Sequence, residues 1–89
     1  MRVLALDPGP VKTAWCLMEA GGKPLEFGHE SNDAVRWHLV TSHPRDVTLA
    51  VEMIASYGMA VGAEVFETCV WIGRFIEAWQ PRTHAIVYR

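Results

Sequence analysis

Apolar residues fall along this chain in short runs punctuated by turn-forming residues, with one longer helical stretch towards the C-terminus. Arg2 to Leu6 is aliphatic and stops at Asp7-Pro8-Gly9-Pro10, where two prolines and a glycine end a strand and turn the chain. Thr13 to Met18 reads as a second strand returning antiparallel. Gly21-Gly22-Lys23-Pro24 then turns the chain into a short third strand over Leu25 to Gly28. Ser31 is a good N-cap, Asp33 suits the first turn of a helix, and Val35 and Leu39 repeat at i and i+4. The pattern predicts a helix over 32 to 40.

Val47-Thr48-Leu49-Ala50-Val51-Glu52 is aliphatic and β-branched, as expected of a strand buried within a parallel region. Residues 53 to 62 read as a loop, and Ala63 to Trp79 carries the strongest helical periodicity. Val65, Cys69, Ile72, Ile76 and Trp79 mark its expected core face, widened by Phe66, Val70 and Gly73. Trp71, Phe75 and Ala78 form a second apolar stripe, read as a contact with another copy of the chain or with a further segment. Glu64 and Glu67 sit where the helix dipole prefers acids, and Gln80-Pro81 ends the helix. His84 to Tyr88 is a last strand.

The predicted order is βββαβαβ, an α/β fold with a mixed five-stranded sheet. Right-handed crossovers make strands 1, 4 and 5 parallel. Ligands bind such sheets at the carboxyl ends of the parallel strands. Asp7 and Glu52 both lie there, whereas Asp33 and Asp46 are expected at the opposite end as surface charges.

With 89 residues, 51% of them apolar, the chain is read as one domain, residues 1–89. No apolar run approaches the roughly 18 residues of a membrane span, and no signal-peptide pattern opens the chain, so a cytoplasmic location is expected. Cys16 and Cys69 have no metal-ligand spacing and are read as two buried thiols. The net charge of −2 offers no broad basic face for nucleic acid, but a bound cation supplies positive charge of its own.

The candidate chemistry is in the carboxylates. Leu4-Ala5-Leu6-Asp7 and Leu49-Ala50-Val51-Glu52 end in the same way, and alternation along each strand sets small residues beneath each acid. Asp-Pro-Gly alone is ordinary turn chemistry, in which glycine supplies positive φ. If strands 1 and 4 are neighbours about 4.8 Å apart, however, the two acids repel one another and call for a hard divalent cation, Mg²⁺ or Mn²⁺.

Asp7-Pro8-Gly9, Thr13 opening the next strand, Ala50-Val51-Glu52, and Ile72-Gly73-Arg74 in the long helix together resemble the RuvC family of Holliday-junction resolvases, in particular its shorter phage-type members. The likeness runs in order over nearly the whole chain. It implies an RNase H-like fold, Mg²⁺-dependent phosphodiester hydrolysis, branched DNA as substrate and a homodimer, with Asp7 and Glu52 matching the first two catalytic carboxylates. The family places further acids on a helix after the fifth strand, and this chain reaches Arg89 where that helix is expected to begin. The site is therefore expected to be incomplete within these residues, with one sheet face uncovered and self-association as a consequence. The family's aromatic wedge position is Ala55 here, with Tyr57 as the nearby substitute.

Lys12 and Arg74 are the remaining candidates for contact with nucleic acid, and Trp71 and Phe75 for a dimer contact. Two other functions fit the same pattern: a catalytically inactive binding module of the same fold, and an actin-like ATPase lobe, whose phosphate turn also follows the first strand. The second normally needs two lobes, which this length does not provide.

Overall fold

A computed structural model describes residues 1–42, 46–54, 62–79 and 84–88. Strands β1 (Arg2–Pro8), β2 (Lys12–Glu19) and β3 (Pro24–Ser31) form an antiparallel meander. Helix α1 (Asn32–Thr41) leads to β4 (Val47–Met53), and α2 (Ala63–Trp79) leads to β5 (His84–Tyr88). The sheet order is β3-β2-β1-β4-β5, with β1, β4 and β5 parallel. The expected α/β topology is therefore present.

Strand alternation divides the sheet into two unlike faces. Leu6, Val47, Leu49 and Val51 point to one side and form the core with Val35 and Leu39 of α1 and Ile72, Phe75 and Trp79 of α2. Among the described residues both helices lie on this face. The other face carries Val3, Ala5, Cys16, Met18, Thr48 and Ala50, all half-buried, and Phe27, which is exposed.

Three expectations change. β3 extends to Ser31, three residues beyond its predicted end, because it follows the full length of β2. Gly28 permits this: a Cβ there would lie 2.8 Å from the Trp15 indole nitrogen, whose N–H donates to Glu30 Oε2 at 2.8 Å. The core face of α2 is also rotated. Thr68, Ile72, Phe75 and Trp79 are buried, whereas Cys69 is exposed and so is not the buried thiol expected. Apolar residues surround most of this helix, so their spacing alone leaves its phase undetermined. Thr68 enters the core because its hydroxyl donates to the Glu64 carbonyl at 2.8 Å. Finally, Gly9 has no positive φ; it is needed for space, since a Cβ would meet the Lys12 carbonyl oxygen at 2.7 Å.

Candidate functional site

Asp7 and Glu52 are placed by the register of two parallel strands. Leu4 pairs with Leu49, Ala5 with Ala50 and Leu6 with Val51, so the next residue on each strand is one of the acids. Neighbouring strands are about 4.8 Å apart, which sets the two side chains abreast. Leu6 and Val51 point into the core, so the acids that follow them point to the opposite face, over Ala5 and Ala50. Asp7 is exposed and Glu52 half-buried. Two carboxylates abreast above small side chains offer hard oxygen donors to a cation the size of Mg²⁺, which commonly takes one or two carboxylates and fills its other positions with water and substrate phosphate. Among the described residues no group of three or more His, Cys, Asp or Glu is gathered for a metal.

The turn after Asp7 is held from the core side by a buried polar network. Asn32, the first residue of α1, donates from Nδ2 to the Gly9 carbonyl at 2.9 Å and accepts a hydrogen bond from Thr13 Oγ1. Its backbone N–H donates to the Val11 carbonyl at 2.9 Å. Asn32 and Thr13 are both buried, and among the described residues no buried side-chain polar atom lacks a partner. Ser31 accepts from the Ala34 N–H at 3.2 Å and so caps the same helix. The start of α1 is thus bolted to the hairpin that carries Asp7. A buried Asn at a helix start has no periodic signature, which is why pattern reading passes over it; the Ser31 cap beside it is the only visible signal.

Lys12 joins the acids on the open face, because it lies two residues before Ala14, the partner of Asp7. Arg74 does not. It belongs to the helix layer, where its guanidinium carbon lies 4.7 Å from the Trp71 ring centroid. Phe75, expected at a dimer contact, is fully buried and packs on Trp71 with ring centroids 5.7 Å apart, so it has no surface to offer a partner. Trp71 is half-buried against the core cluster. Tyr57 and Ala55 lie outside the described residues. Glu64 and Glu67 are exposed at the start of α2, in the helix layer.

Asp33 corrects a further expectation. It follows Asn32 directly and therefore lies at the same end of the molecule as Asp7, exposed on the helix side. Asp46 precedes β4 at the opposite end with φ of 58°, and its carbonyl accepts from the Arg2 N–H at 2.8 Å. A cavity of about 300 Å³ lies under α1, lined by Leu4, Leu17, Leu39 and Trp79 together with Glu30 and His38. The sheet separates it from the acids.

No protein-family model matches this chain, and no curated protein matches it in sequence. Among the described residues, no helix is long and apolar enough to cross a membrane.

Proposed function

We propose that this chain is a RuvC-like, RNase H-like nuclease domain that binds Mg²⁺ or Mn²⁺ through Asp7 and Glu52 and acts on branched DNA. The observation that carries this reading is the register that brings both acids to adjacent strand ends on the open face. Both acids lie outside the hydrophobic core, and two carboxylates at adjacent strand ends supply the hard oxygen donors that a divalent cation takes. Asp7 and Glu52 would hold the divalent ion, which would supply Lewis acidity for phosphodiester hydrolysis. The chain's own residues set the conditions: Ala5 and Ala50 leave room for a phosphate to approach, and Asn32 holds the Asp7 turn in place. The large apolar side chains that α2 exposes for pairing with a second copy on the helix layer are Phe66 and Val70.

Calorimetric titration with Mn²⁺, followed by incubation of a labelled four-way junction with Mg²⁺, tests the reading. Metal binding and cleavage are expected for the native chain and are lost in Asp7→Asn and Glu52→Gln. Metal binding that survives both substitutions would show that the acids are not the site. Junction binding without cleavage would assign the chain to the inactive-module alternative.

A further inference from the structure

The open face differs on the two sides of the acid pair. Towards β5 it presents Ala85 and Val87, both aliphatic. Towards β3 it becomes basic and aromatic. Asp7 pairs with Ala14, and Ala14 pairs with His29, so His29 stands on the same face and at the same level as Asp7 with only a methyl group between them. Lys12 sits diagonally from both across the two ladders, a spacing of about 7–8 Å that long side chains span. Phe27, two residues before His29, shares that face and is 77% exposed. The register irregularity of the β2–β3 pair falls between Leu17 and Met18, at the far end, and leaves this corner regular.

We propose that the β2–β3 wing is a binding subsite for an unpaired DNA strand on its way to the acid pair, with Lys12 and His29 holding phosphates and Phe27 stacking a base. This rests on the nuclease reading above and adds the side from which the strand reaches the site. Charge favours this side: Lys12 is a fixed cation, and imidazole donates a hydrogen bond from at least one ring nitrogen in either protonation state. Ala14 leaves an unobstructed path from Asp7 to His29. An unpaired strand fits better than a duplex. A duplex is held by a broad basic footprint, which a chain of net charge −2 lacks, whereas a short single strand needs few cations and an aromatic face. Phe27 contributes nothing to the core, yet it is the one large aromatic on this face among the described residues.

The test is fluorescence anisotropy of labelled single-stranded and duplex DNA with Ca²⁺ replacing Mg²⁺, alongside sedimentation and circular dichroism of each variant. Phe27→Ala should weaken single-strand binding about tenfold and leave duplex binding unchanged. Lys12→Gln should lower the slope of log affinity against log salt by about 0.7 for the single strand, and His29→Ala, which removes the donor, should weaken binding about tenfold. Ala85→Gln, bulkier but neutral on the β5 side and level with Ala50, should have no effect. Weakening by Ala85→Gln with no effect of the wing variants would send the strand over β5 and overturn the proposal. Wing variants that bind normally, while Asp7→Asn still abolishes cleavage, would overturn it and leave the nuclease reading standing. Failure of the native chain to bind any DNA would remove both. Conversion of a dimer to a monomer by Phe27→Ala would give the wing to a second copy instead.

Discussion

Replacing Asn32 by Ala isolates the link between the core and the candidate site. The substitution removes the acceptor of the Thr13 hydroxyl, which is fully buried, and the donor to the Gly9 carbonyl, which is half-buried. A buried polar group stripped of its partner costs about 1–3 kcal/mol, and the more exposed carbonyl nearer the lower end. Alanine is the better helix former and returns about 0.5 kcal/mol, and the backbone bond to Val11 is unaffected. The expected net loss is about 2–3 kcal/mol, against a total stability of about 4–13 kcal/mol for 89 residues. Urea unfolding of Asn32→Ala, Thr13→Val and the double variant would measure it. The double variant should cost at least about 1 kcal/mol less than the sum of the singles, because the second substitution removes a partner already orphaned. A loss under about 0.5 kcal/mol, or strict additivity, would show that the network does not brace the hairpin.

The rotated phase of α2 predicts that Phe75→Ala costs about 3–5 kcal/mol and that Phe66→Ala, at an exposed position, costs almost nothing; chemical denaturation of the two variants checks it. Gly9→Ala should destabilise by more than about 1 kcal/mol and lower Mn²⁺ affinity, since the new methyl group meets the Lys12 carbonyl and forces the Asp7 turn to shift. Of the two free thiols, Cys69 should react with a water-soluble disulfide reagent well before half-buried Cys16; stopped-flow absorbance gives the order, and equal rates would place Cys69 elsewhere than on an exposed helix flank.

Much of the architecture was legible because it rests on local signals. The Asp7-Pro8-Gly9-Pro10 turn, the glycines after Glu19 and the aliphatic run from Val47 mark their elements without tertiary help, and all five strands and both helices occur in the predicted order. The acid pair was legible for the same reason, since each acid closes such a run. What pattern reading could not supply depends on packing. The phase of α2 is decided by which of its many apolar side chains the sheet accepts, so Phe75 moved from an expected contact surface into the core. β3 reaches Ser31 because Trp15 rests over Gly28, a contact across two strands. The positions of Asn32 beside the Asp7 turn and of His29 level with Asp7 follow only from the register of β1, β2 and β3.

That register also separates stability from chemistry. On β1 and β4 the side chains at alternate positions enter the core, and those between them form the floor of the open face, so each strand serves both purposes without compromise. Asp7 and Glu52 sit outside the core, and their substitution should change ligand binding far more than folding. Thr13 and Asn32 lie on the other side of the sheet, within it, and should do the reverse. The two sets meet at a single stretch, residues 7 to 12, which is tethered by Asn32 from one side and carries Asp7 and Lys12 at its ends on the other. A shift of that turn therefore displaces an acid and a cation together. For this reason the Asn32 network, though remote from any ligand, should govern the geometry of the site as much as the register of β1 and β4 does.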